Sequence, residues 1–147
     1  MAKTMDAVTI ARENIEAFNQ GDKQLFGANL TSDTIYRELA TGREAHGVDE
    51  VTNTGFSWRD AFPDARGEIT NSFGSGDQIA LQITWTGTQT GELVSPAGTI
   101  PATGKRVTIP ACQVSKIRDG KIARTDHYFD LMTMLVQLGV TPAQQPV

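Results

Sequence analysis

Arg118-Asp119-Gly120-Lys121-Ile122-Ala123-Arg124-Thr125-Asp126-His127-Tyr128-Phe129-Asp130, running on through Leu131 to Gly139, is the stretch on which the fold turns. Asp119-Gly120 stands between two apolar-alternating runs, and the central positions of a tight hairpin turn favour residues that tolerate positive φ. A strand is therefore expected to leave this turn carrying Arg124, Asp126, His127, Tyr128 and Asp130. Leu131, Met134, Leu135 and Leu138 then fall at helical spacing, and Gly139 ends the run. A strand that ends in charge and passes straight into an apolar helix sets a polar group at the mouth of a closed apolar space.

Outward from there, Val107 to Ile117 predicts the strand that pairs with it, with Pro110 marking an edge or a bulge. Gly87 to Arg106 holds four Gly and two Pro, which predicts a long connection or an irregular hairpin tip. Ile79-Leu81-Ile83-Trp85 alternates against Ala80-Gln82-Thr84-Thr86, the clearest strand in the chain. Ile69 to Phe73 is another, joined to it by a Gly74-Ser75-Gly76-Asp77 turn. Val48, Val51, Gly55, Trp58 and Phe62 form a helical stripe stopped by Pro63. Before it come a Gly42 to Gly47 loop and a strand from Thr34 to Leu39. Asp22 can cap a short helix holding Leu25, Phe26 and Leu30, and Val8, Ala11, Ile15 and Phe18 give an amphipathic helix ending near Gly21. Helices segregated to one face of an antiparallel sheet make an α+β fold. A strongly bent sheet so covered leaves a cone-shaped pocket between sheet and helices.

The chain of 147 residues fits one domain, 1–147, large enough for a core of its own. A net charge of −4 with no run of five like charges speaks against nucleic acid or an anionic membrane as partner. A lone cysteine, Cys112, forbids an internal disulfide and fits a reducing compartment. No segment reaches the ~20 apolar residues of a membrane span, and Met1 to Asp6 lacks the apolar core of a signal peptide. Cytoplasmic is the expected location. Two histidines and no cysteine pair give no metal-ligand spacing, and Gly74-Ser75-Gly76 joins strands rather than opening a phosphate-binding helix. No metal and no cofactor are expected.

Several motifs combine into a resemblance. Phe62-Pro63-Asp64, Gly76-Asp77, Thr86-Gly87-Thr88-Gln89-Thr90-Gly91-Glu92, Thr103-Gly104-Lys105, Asp119-Gly120-Lys121-Ile122 and Gln137-Leu138-Gly139 resemble the SnoaL-like polyketide cyclase (ester cyclase) family over nearly the whole chain. That family belongs to the nuclear-transport-factor-2-like (cystatin-like) superfamily. The resemblance implies an α+β cone, often a homodimer, that closes polyketide rings by an intramolecular aldol step without metal or cofactor. Tyr128-Phe129-Asp130-Leu131 and Tyr36-Arg37-Glu38 are also similar to limonene-epoxide hydrolases. In both families an acid–base aspartate stands where this chain has His127. The hydrolase's middle-strand arginine and aspartate fall near Gln82 and Thr84, and the cyclase's partner histidine near Gln113.

These readings single out His127 as the catalytic candidate, since imidazole exchanges protons near neutral pH. Its bland alternative is a core or surface histidine bonded to a neighbour. Tyr36, Glu38, Trp58, Gln82, Thr84 and Gln113 are the expected substrate contacts, although Glu38 also reads as a surface charge and Trp58 as plain core. Asp130 reads first as a helix cap. By parity Arg124 and Asp126 lie on the face opposite His127; His46 reads as surface, and Trp85 as a possible dimer contact. Register stays open: a two-residue turn sets His127 opposite Cys112, and a three-residue turn sets it opposite Ala111 with Gln113 beside it. The leading expectation is a cofactor-free acid–base enzyme of cyclase type with a hydrophobic polyketide-like substrate. A non-catalytic binding or dimerisation module and an epoxide hydrolase with an incomplete triad are the alternatives.

Overall fold

The computed structural model describes residues 3–96 and 98–140. Helix α1 (Lys3–Gln20) turns Ala11, Ile15 and Phe18 inward, as its spacing predicts, but buries Ala7 in place of the expected Val8, which stays partly exposed. Helix α2 (Lys23–Ala28) starts where the Asp22 carboxylate accepts a bond from Leu25 N at 2.9 Å. Strands β1 (Leu30–Glu38) and β2 (Arg43–His46) precede α3 (Val48–Ala61), whose buried Val51 and Phe56 meet Phe18 and Phe26. Strands β3 (Arg66–Ser75), β4 (Gln78–Thr88), β5 (Leu93–Ser95), β6 (Gly98–Ile100), β7 (Arg106–Arg118) and β8 (Lys121–Phe129) follow, then α4 (Leu131–Leu138).

Six strands form one strongly curved sheet in the order β2-β1-β8-β7-β4-β3, with β5 and β6 a separate hairpin. The β1–β8 pair is parallel, since helices and two hairpins lie between the two strands in the chain; the other neighbours are antiparallel. Ile79, Leu81 and Ile83 of β4 face α1, and a second apolar cluster joins Phe62, Val107, Ile109, Met134 and Leu138. The helices thus line the concave face, and the fold is the expected α+β cone.

Local details correct the sequence reading. The Gly42 to Gly47 segment contains β2, a four-residue edge strand with Ala45 as its one buried side chain, too short to show a period. The glycine-rich connection holds the β5–β6 hairpin, pinned by buried Gln89, whose amide donates to Ile100 O and Pro101 O and accepts from Thr103. Pro110 continues the β4 ladder opposite Thr84 without a bulge, and the β8 ladder stops one residue short of it, at Ala111–Phe129. Beyond that point Gln137 of α4 takes the place of a strand, accepting from Thr108 N at 2.7 Å and donating to Thr108 O at 2.9 Å.

The last hairpin matters most. Arg118 pairs with Lys121, so Asp119 and Gly120, with φ of 53° and 75°, form a two-residue turn. One extra residue, Ala123, then enters β8 between the Lys116–Arg124 and Ile117–Ile122 pairs. The bulge sets His127 directly opposite Gln113, a pairing that neither turn length gives on its own. Among the described residues no helix is long and apolar enough to cross a membrane.

Candidate active site

Cross-strand partners share a face, so Gln113 and His127 both point into the cone. There they border a cavity of about 90 Å³ walled by apolar rings, among them Phe18, Phe62, Phe129 and Trp58. Tyr36, brought alongside by the parallel β1–β8 pair, completes the polar corner.

The hydrogen bonds in that corner have only one consistent direction. The Trp85 indole Nε1–H, which can only donate, lies 3.1 Å from His127 Nε2, so Nε2 is the unprotonated, accepting nitrogen. The imidazole proton therefore sits on Nδ1, which donates to Tyr36 Oη at 2.9 Å. Tyr36 in turn donates its own proton to Glu38 Oε2 at 2.7 Å. Glu38 is fully buried, and its carboxylate ends the chain. Trp58 Nε1 donates to it at 2.8 Å, Thr41 Oγ1 at 2.6 Å, and Arg43 through Nε at 3.0 Å and Nη2 at 3.3 Å. Arg43 keeps its place by donating to Ser57 Oγ at 3.1 Å and lying over the Trp58 ring.

Protonation follows from these contacts. Burial holds the His127 imidazolium down to a pKa of about 4, with the Glu38 charge pulling the other way. Burial pushes the Glu38 carboxyl up, but the bonds from Arg43, Thr41 and Tyr36 outweigh it and hold it below the ordinary carboxylate value. Burial, then the Glu38 charge, raises the Tyr36 phenol well above its ordinary value. At neutral pH the corner is a neutral imidazole and phenol backed by an ion-paired carboxylate.

Of the expected contacts, His127, Tyr36, Glu38, Trp58 and Gln113 come together, and Gln113 makes no side-chain hydrogen bond to any described residue. Gln82 and Thr84 do not join them. Leu81, Ile83 and Trp85 occupy the inner face of β4, so period-two alternation turns Gln82 and Thr84 outward, where Gln82 accepts from Asn71 at 3.1 Å. Trp85 faces this cavity rather than a subunit contact. Asp130 caps α4, accepting from Thr133 N at 3.0 Å, as read. Arg124 and Asp126 lie on the outer face with Arg37, and His46 is exposed against Glu44. Thr41 and Arg43 were absent from the sequence reading, because a turn and a short edge strand carry no periodic signal. Among the described residues no three His, Cys, Asp or Glu side chains are grouped as metal ligands.

A second pocket of about 270 Å³ lies between the β5–β6 hairpin and α4, and Trp58 and Met134 wall both spaces.

The SnoaL-like polyketide cyclase family model matches residues 8–138. The chain belongs to that family. No curated protein matches it. Among solved structures, it is similar to a candidate SnoaL-like polyketide cyclase from Jannaschia sp. CCS1, with 16% identity over 97% of both chains and a TM-score of 0.85. IdmH, a candidate polyketide cyclase from Streptomyces antibioticus, is 24% identical over 91% of this chain and 99% of its own, with a TM-score of 0.77. An LEH-like epoxide hydrolase from M. tuberculosis is 18% identical over 92% of this chain and 90% of its own, with a TM-score of 0.72. These likenesses show the nuclear-transport-factor-2-like fold.

Proposed function

We propose that this SnoaL-like chain is a cofactor-free acid–base enzyme that closes a ring in a hydrophobic, polyketide-like molecule by an aldol step. The observation that carries the proposal is the His127–Tyr36–Glu38 chain, which puts a neutral imidazole at the cavity wall with a carboxylate held behind it. In the step, a C–H bond next to a carbonyl breaks. Its proton goes to His127 Nε2, where it takes the place of the Trp85 N–H, and its electron pair moves onto the carbonyl oxygen. The enolate carbon then bonds to a second carbonyl of the same molecule, and the imidazolium returns the proton to the new alkoxide.

Nδ1–H stays on Tyr36 throughout, so Tyr36 and Glu38 orient the ring and offset the charge it acquires. Because Tyr36 O–H is committed to Glu38, the amide of Gln113 is left to donate to the enolate oxygen. A base with a conjugate acid near pKa 4 is weak, which fits a carbon flanked by two carbonyls and an oxygen held by donors.

The test is ring closure of poly-β-ketone substrates followed by chromatography and mass spectrometry. His127→Gln should lower kcat by roughly 10²–10⁴-fold while the variant stays folded; full activity in that variant would remove the role. The second reading, a binding module, is favoured by the ring-lined wall. It gains if wild type binds such ligands and converts none. Epoxide hydrolysis lacks its second carboxylate, since Asp126 and Asp130 both lie outside the cavity.

A further inference from the structure

Trp85 has an indole N–H whose partner is the same nitrogen that the proposed reaction protonates. At rest Nε1–H donates to His127 Nε2 at 3.1 Å, inside a wall made mainly of Phe18, Phe129, Ile109 and Met134. Nε2 has one lone pair, so a proton reaches it only as the indole N–H withdraws, and the indole is then left without an acceptor. The substrate oxygen, which gains negative charge in the same event, is the group able to receive the indole.

We infer that Trp85 is a catalytic oxyanion donor whose N–H is displaced from His127 Nε2 by the arriving substrate hydrogen and passes to the enolate oxygen; this rests on the acid–base reading of His127. The C–H or O–H bond of the substrate breaks, its proton forms the Nε2–H bond, and the electron pair left on oxygen accepts the indole hydrogen. No other reactant is needed. A donor bound to the base in the ground state and to the substrate only afterwards binds the transition state selectively, which is the condition for raising kcat. The substrate class follows: carbon acids, or phenols, whose conjugate base carries its charge on oxygen.

The indole is held for a short movement rather than a swing. Its ring stands nearly perpendicular to that of Phe18, with centroids 5.3 Å apart, and its benzene edge lies over Gly67, where a Cβ would come within 2.7 Å of it. Gly67→Ala therefore displaces the indole without removing its N–H.

The probe is 4-nitrophenol, whose ionised form is read by absorbance and whose phenolate oxygen mimics the enolate. It is titrated, below the pH at which the free phenol ionises, into wild type, Trp85→Phe, Gly67→Ala and His127→Gln, each carrying ¹⁵N-labelled tryptophan. Wild type should bind the phenolate and move the Trp85 indole resonance. Trp85→Phe and Gly67→Ala should bind the ionised form about 10- to 100-fold more weakly, and His127→Gln should bind the phenol without ionising it. Ionised probe with an unmoved Trp85 signal overturns the donor role and leaves His127 as the base. Failure of wild type to bind or ionise the phenol overturns both. Should either variant at Trp85 or Gly67 fail to fold, the wild-type indole signal decides.

Discussion

Both nitrogens of His127 are engaged, and the direction of each bond is dictated by a partner that has no choice. An indole cannot accept and an ion-paired carboxylate cannot donate, so the intervening phenol and imidazole are locked into one arrangement. The cost is a histidine that resists protonation. Its folded pKa of about 4 lies below the unfolded 6.5, so between those values the unfolded chain binds the extra proton. Stability from this group is thus full above pH 6.5 and drains away as pH falls toward 4. From pH 8 to 5.5, above the window in which Glu38 titrates, the loss is about 1.4 kcal/mol, roughly tenfold in the folding equilibrium. Denaturant unfolding at the two pH values should show that difference in wild type and lose most of it in His127→Gln. Equal pH dependence in both proteins would contradict the assignment.

At this scale the sequence was half legible. His127 was visible at the charged end of a strand that runs into an apolar helix and by its position in the family resemblance, and Tyr36 and Glu38 through the similarity to limonene-epoxide hydrolases. Arg43 and Thr41, which make Glu38 tolerable in the core, were hidden in a turn and a short strand. Gln82 and Thr84 were placed by analogy of position, and the parity of their own strand overrules it.

Among the elements, β8 decides whether there is a site at all. The Ala123 bulge moves everything after it by one residue, which brings His127 onto the inner face opposite Gln113. Deleting Ala123 would remove the bulge yet keep Gln113 opposite His127, whereas inserting one alanine between Ala123 and Arg124, with the one-residue bulge kept, pairs His127 with Cys112, on the outer face. In the insertion variant Thr125 and His127 would exchange faces with Arg124 and Asp126, and the parallel ladder to β1 would slip. The expected outcome for the insertion is loss of cooperative thermal unfolding and of the near-ultraviolet signal of the packed tryptophans; an insertion variant that unfolds like wild type would refute the register argument.

The hairpin turn was legible from Asp119-Gly120, whereas the bulge was not, because Ala123 differs in no local property from its neighbours. The long strands and helices were legible from their periods. The motifs behind the family resemblance prove mainly structural. Asp64 accepts from Thr88 N at 2.7 Å, Gln89 pins the 100–105 segment and Gln137 seals the end of β7. They specify the cone and leave its chemistry to residues outside those motifs.

Over the whole molecule, the proposed reaction has to fit within an apolar cone. A cavity of about 90 Å³ takes a single reacting ring, while polycyclic ligands call for about 300 Å³ or more. The adjoining space under α4, with Trp58 and Met134 as the shared wall, is where the remainder of a longer substrate has room. Met132 and Val136 of α4 remain about half exposed, so that helix spends only part of its apolar surface on the core.

All of this depends on one imidazole, neutral and singly protonated on Nδ1, set in the wall of that cavity. The direct measurement is a pH titration of the ring nitrogens in uniformly ¹⁵N-histidine-labelled protein, with His127 assigned by comparison with His127→Gln. The account predicts a proton on Nδ1, an unprotonated Nε2 and a midpoint near 4. A proton on Nε2 at neutral pH, or a midpoint near the 6.5 of a free imidazole, would contradict it.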